Sequence, residues 1–150
     1  MDTNIRIQHE DFSIQEETDW LRTQGGDAGA VVTFTGLVRG DENGRGIRAL
    51  FLEHYAGMTE SSLRAIVDEA AGRWPLLGVV IIHRIGELLP GAHIVFVGVS
   101  SAHRAASFSA CDFLMDYLKT RAPFWKKCLF DDSSHWVTAK ESDAEASKRW

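Results

Sequence analysis

The chain has 150 residues, 45% of them apolar and 25% charged, with a net charge of -5. That length supports one domain with a real core and excludes two full ones. The acidic balance excludes the broad basic surface that nonspecific nucleic-acid binding needs, so any anion site must be local. Cys111 and Cys128, the two cysteines, match neither a zinc spacing nor a disulfide framework, which points to a reducing compartment. The opening MDTNIRIQHEDF lacks the charged-then-apolar layout of a signal peptide. No apolar run approaches the roughly 20 residues of a membrane-spanning helix. The expectation is a cytoplasmic protein, with residues 1–150 forming a single domain.

Ser13-Ile14-Gln15-Glu16 reads as a capping box opening a short helix through Trp20 and Leu21, which ends near Gly25-Gly26. Ala30 to Arg39 is rich in β-branched residues and predicts a strand, with Val32, Phe34 and Val38 on one face and Thr33, Thr35 and Arg39 on the other. The polar, glycine-rich GDENGRG at 40–46 reads as a mobile loop, and Ile47 to Tyr55 as the return strand. A helix from Thr59 follows, its apolar face marked by Leu63, Ile66, Val67, Ala70 and Trp74, and Pro75 stops it. Val79 to His83 and Ile94 to Val99 predict strands, with a turn at Leu89-Pro90-Gly91. Phe108, Cys111, Met115 and Leu118 mark a second long helix from Ala102 to Thr120, ended by Pro123. Phe124 to Leu129 predicts a strand, and Ser142-Asp143-Ala144-Glu145 a cap for a short terminal helix. Strands joined by short loops favour antiparallel pairing, so the fold class read here is α+β with two long helices.

The chemistry concentrates between His103 and Lys127, where cations flank one helix in a chain that is acidic overall. His103 and Arg104 fall at the predicted N-terminus, which already carries partial positive charge; a bound anion there would relieve the conflict. The alternative is that both side chains simply point into solvent or pair with a distant carboxylate. Lys119 in the last turn complements the helix dipole, which alone explains it. Lys126 and Lys127 alternate on a strand beside Phe124 and Trp125, so one of them at most faces a given pocket. A lysine in a partly apolar wall is a candidate proton-transfer group. Arg39 borders the glycine-rich loop, where its fork suits a phosphate or carboxylate, although position alone favours an ordinary strand-end arginine. Phe34 and Met115 read as core, the cysteines as buried inert thiols, and His54 and His83 form no metal spacing. Neither GxGxxG nor GxxxxGK[ST] occurs.

Five words in order resemble one family: VVTFTGLVRG at 31–40, LEHYAGMTE at 52–60, HRIGEL at 83–88, VFVGVSSAHR at 95–104 and MDYLKTRAPFWKK at 115–127. The chain is similar to the MoaE family, the catalytic large subunits of molybdopterin synthase. The resemblance implies an α/β-hammerhead fold with an additional antiparallel β-sheet. It implies a homodimer within a heterotetramer, each end carrying a small ubiquitin-like sulfur carrier of the MoaD type. The implied reaction is a sulfur transfer from the carrier's C-terminal Gly-Gly thiocarboxylate to cyclic pyranopterin monophosphate (precursor Z), forming the molybdopterin dithiolene. No metal or organic cofactor is implied. Matched word by word, Lys119 and Lys126 fall on catalytic positions, and Arg39, His103, Arg104, Lys119, Lys126 and Lys127 on the substrate and thiocarboxylate pocket. Leu37 stands where some members have lysine, and Cys128 where some have an acidic or other polar residue.

Two other classes use the same residues. A noncatalytic module that binds a small anion would need the cations but no channel for a carrier tail. An acyl-transfer enzyme built on Cys111 or Cys128 would need a base beside the thiol, and none is evident in the sequence.

Overall fold

The computed structural model describes residues 1–137 and 141–150. The chain opens with a strand, β1 (Asp2–Gln8), that the sequence reading did not anticipate. It pairs in parallel with β6 (Leu76–Arg84), and its Ile5 and Ile7 pack on the main core. Between them the chain supplies the long crossover that parallel pairing requires. Helix α1 (Ile14–Arg22) begins at Ser13, whose hydroxyl accepts the Glu16 N–H at 3.2 Å.

Strand β2 (Ala30–Leu37) pairs antiparallel with β8 (His93–Ser101) and forms the edge of a sheet ordered β1-β6-β8-β2. The expected loop at 40–46 holds a small hairpin instead, β3 (Asp41–Glu42) against β4 (Arg45–Gly46). Asn43 and Gly44 take φ of 51° and 80°, the positive values that a tight two-residue hairpin turn demands. The expected return strand, β5 (Ala49–His54), does not return to β2. It joins a second sheet with β7 (Gly86–Leu88), β9 (Phe124–Leu129) and β10 (Ser134–Val137), ordered β10-β9-β5-β7. The cause lies at the end of β2, where the register shifts between Gly36 and Leu37 and Val38 turns into the second sheet's core. That core comprises Val38, Ile47, Leu50, Leu52, Leu88, Cys128 and Phe130.

Helices α2 (Met58–Arg73) and α3 (Arg104–Arg121) cover one face of the first sheet. Leu63, Ile66 and Val67 from α2 meet Phe113, Leu114 and Leu118 from α3 over Val79, Ile81 and Val97. Phe12, Leu21, Val80, Ile82 and Phe96 form a smaller core on the opposite face. The central strands β6 and β8 are therefore buried on both sides, which explains their near-continuous apolar runs. Each large side chain enclosed there, such as Phe113 or Leu114, contributes about 1.5–3 kcal/mol through burial. The architecture is mixed α+β. Helix α4 (Glu141–Ser147) follows β10, and the capping role expected of Ser142 lies outside the described side chains.

The approach to α3 is tightly held. The Gly29 N–H donates to Ser101 O at 3.0 Å, and a Cβ on Gly29 would lie 2.2 Å from Ala102 O. Only glycine allows β2 to start so close to the turn carrying His103. Phe108 departs from expectation: it is 62% exposed, because β2 is an edge and nothing described in this chain covers the groove beside it.

Candidate functional site

A cleft of about 580 Å³ opens between the end of β2, the last turns of α3 and strand β9. Arg39, Lys119 and Lys126 line it together, with Phe34, Leu37, His83, Met115 and Phe124 as its walls. Two hydrogen bonds of a fully buried threonine explain how α3 and β9 bring their lysines to one place. The Thr59 hydroxyl donates to Pro123 O at 3.0 Å and accepts the Tyr55 N–H at 3.0 Å. This pins the α3–β9 turn to the start of α2. Beyond the turn, β9 alternates: Lys126 faces the cleft, while Lys127 lies on the other face of the sheet, its Nζ 4.6 Å from the Trp136 ring centroid and 5.9 Å from that of Phe51. Lys127 is therefore not brought to the site.

Arg39 reaches the cleft from the β2 end, with one guanidinium nitrogen 3.2 Å from the Glu42 carboxylate of the hairpin. An incoming phosphate would compete with that carboxylate for a guanidinium that is mostly solvent-exposed. Asp143 also borders the cleft, so the site is locally basic but not uniformly so.

His103 and Arg104 are not part of this cleft. His103 is the N-cap of α3, Arg104 its first residue, and both are exposed. Lys119 lies fifteen steps along the helix from Arg104, or about 22 Å at 1.5 Å per residue. The first turn of α3 carries no acidic residue.

Two walls of the cleft correct the sequence reading. Phe34 was expected in the core, yet it is 39% exposed; Met115 packs on the main core as expected and is half-buried, and both line the cleft and a second, shallower groove running along β2 and α3. The edge position of β2 leaves Phe34 uncovered. His83 went unnoticed as a site residue. It follows Val79 and Ile81 on the helix-facing side of β6, a polar residue at the third position of an apolar row. Its Nδ1 lies 2.9 Å from Arg84 O, so Nδ1 carries the proton and donates. Burial, opposed by that hydrogen bond and reinforced by the charges of Lys119 and Lys126, pushes its pKa down to about 4. The ring is neutral near pH 7.

Both thiols are free and buried. Burial pushes Cys111 up to about 11, with Asp112 adding to the effect, and raises Cys128 as well. Neither lines the cleft that holds the lysines. The double variant Cys111→Ala with Cys128→Ser should therefore retain near-wild-type turnover, with some stability lost at position 111 from the smaller side chain. Turnover alongside a thermal melt checks this; complete loss of turnover in a folded double variant would revive the reading in which one of these thiols is a nucleophile. Among the described residues, no group of His, Cys, Asp or Glu is arranged to hold a metal ion, and no helix is long and apolar enough to cross a membrane.

Comparison with known proteins now identifies the chain's relatives. The family model described as MoaE protein matches residues 7–121. The molybdopterin synthase catalytic subunit of Escherichia coli (strain K12) is 57% identical over 149 residues, covering 99% of each chain. Among solved structures, the molybdopterin biosynthesis MoaE protein from Burkholderia ambifaria MC40-6 superposes with a TM-score of 0.85 at 45% identity, covering 99% of this chain and 97% of that one. The molybdopterin synthase of Staphylococcus aureus gives a TM-score of 0.82 at 34% identity, covering 88% and 95% respectively. With a family model matching most of the chain and relatives this similar along nearly its whole length, the chain belongs to the MoaE family.

Proposed function

We propose that this chain is the catalytic large subunit of a cytoplasmic molybdopterin synthase, acting as one unit over residues 1–150. It moves two sulfurs from the C-terminal thiocarboxylate of a small ubiquitin-like carrier to cyclic pyranopterin monophosphate, forming the dithiolene. The observation that carries this reading is the convergence of Arg39, Lys119 and Lys126 on one cleft, in a chain of net charge -5 that belongs to the MoaE family. The finer fold description is the α/β-hammerhead with an additional antiparallel sheet, supported by the separation of the two sheets and their separate cores.

The chemistry explains why the site needs cations and no cysteine nucleophile. The sulfur arrives already activated on the carrier. A thiocarboxylate and a cyclic phosphate are both anionic, and two like charges at about 4 Å repel by roughly 4 kcal/mol at an effective dielectric of ~20. Fixed guanidinium and ammonium groups offset that repulsion and then stabilise charge that develops during sulfur addition. Arg39 anchors the phosphate, Lys119 orients the thiocarboxylate, and Lys126 assists proton transfer or stabilises an intermediate.

His103 and Arg104 join this site from a second copy of the chain. The support is directional. Helix α3 runs alongside β2 in the same sense: Val32 and Thr33 share a groove with Phe108 and Asp112, whereas Thr35, Gly36 and Leu37 share the cleft with Lys119. The start of β2 pairs with Ser101, just before His103. A two-fold axis near the middle of the unpaired β2 edge therefore lays the partner's α3 N-terminus beside this chain's cleft. It also covers Phe34, Leu37 and Phe108, which are 39%, 54% and 62% exposed. Lys127 takes no part in substrate binding on this reading. Reconstitution with thiocarboxylated carrier and precursor Z tests the function: dithiolene should form, and substrate binding without sulfur transfer would favour the noncatalytic anion-binding alternative.

A further inference from the structure

A cluster of cations explains how a phosphate is held but leaves the rest of the substrate unread. A reduced pterin is a fused heterocycle with N–H donors on the edge of its flat pyrimidinone ring, so a site that selects it needs a hydrogen-bond acceptor in an apolar wall. On the wall of the cleft, His83 offers one. Its ring stacks on Phe124 with centroids 3.7 Å apart and planes 16° from parallel, which fixes its tilt. Its Nδ1–H is committed to Arg84 O at 2.9 Å, which fixes its tautomer. Nε2 is then an acceptor only. The residue is 5% exposed and lines the cleft, and its hydrogen bond to the Arg84 carbonyl engages Nδ1, not Nε2.

We infer that His83 is a positioning residue that binds the substrate's heterocycle, its Nε2 accepting a ring N–H while Phe124 holds the imidazole in plane. The cost of placing a polar side chain in an apolar row is offset on one nitrogen by the Arg84 carbonyl; the other nitrogen is left for a ligand. Burial together with the neighbouring Lys119 and Lys126 keeps the ring uncharged, so the acceptor persists at neutral pH. The phosphate end and the ring end of the substrate are then read by different groups. This inference rests on the pterin reading of the site and names the residue that discriminates the ring.

The test uses the full-length protein with His83→Asn and His83→Gln. Asparagine retains a donor near the Nδ1 position, whereas glutamine extends an amide oxygen toward the Nε2 position. Two probes separate the ends of the substrate: a tetrahydropterin without phosphate, and inorganic phosphate. In His83→Asn, tetrahydropterin affinity and the KM for precursor Z should worsen about tenfold, the free-energy equivalent of one unmade hydrogen bond to a buried acceptor. Phosphate inhibition and kcat should change by no more than about twofold, and His83→Gln should recover most of the lost affinity. Equal weakening of both probes, or failure of glutamine to outperform asparagine, would make His83 a structural residue and overturn the inference. Wild-type protein that binds tetrahydropterin through His83 but never forms dithiolene would instead remove the proposed reaction and leave this role standing.

Discussion

Lys119→Ala and Lys126→Ala should each lower sulfur transfer by about 100-fold or more, the usual cost of removing one group that stabilises transition-state charge. Both side chains line the cleft, one from the last turn of α3 and one from β9, and the Thr59–Pro123 hydrogen bond holds the two elements in that relation. Lys119 is exposed, so Lys119→Ala should hardly move the melting temperature, and in both variants the loss should fall on kcat more than on substrate affinity. Lys127→Ala is the neighbouring control. It forfeits a cation–π contact with Trp136, worth about 0.5–1 kcal/mol, on the far face of the sheet, and should leave turnover within about threefold of wild type. Single-turnover rates with thiocarboxylated carrier measure all three. Near-normal rates in both cleft variants would remove the lysines from the mechanism.

Much of the fold was legible because long periodic segments carry their own signal. Leu63, Ile66, Val67 and Ala70 place α2 on the core in the register expected from their spacing. Short strands were illegible for the converse reason. The three residues of β7 and four of β10 are too few to establish a period, whereas β1 does alternate Ile5 and Ile7 with Asn4, Arg6 and Gln8, a strand signal that the sequence reading passed over. The pairing of β2 with β5 failed on a different ground. Nearness in sequence favours a hairpin, but the register shift at Gly36/Leu37 and the burial of Val38 send the chain into another sheet, a decision made by tertiary packing.

The cations of the site were legible as a charge anomaly, and strand alternation correctly allowed only one of Lys126 and Lys127 to face the cleft. The helix length was legible too: some 22 Å of α3 lies between Arg104 and Lys119, so a single chain does not bring the two ends to one cleft. His83 was passed over because it was weighed only as a metal ligand. Its signal was positional, a histidine continuing the row of Val79 and Ile81, and that becomes informative once the face of β6 is known. Phe34 and Phe108 looked like core because helical and strand spacing report which face a residue shares, not whether the same chain covers that face.

Arg104→Ala should lose substrate binding as severely as Lys119→Ala loses transfer, although the two residues sit at opposite ends of one helix. If each site draws Arg104 from one protomer and Lys119 from the other, the two lesions are separable. A dimer purified with one Arg104→Ala protomer and one Lys119→Ala protomer carries both defects in one site and none in the other. Such mixed dimers should recover about half of wild-type dithiolene formation, since one of the two symmetry-related sites is intact. Activity no higher than that of the separate variants, in a dimer verified to contain both chains, would place all the cations of a site on one protomer and contradict the shared-site account.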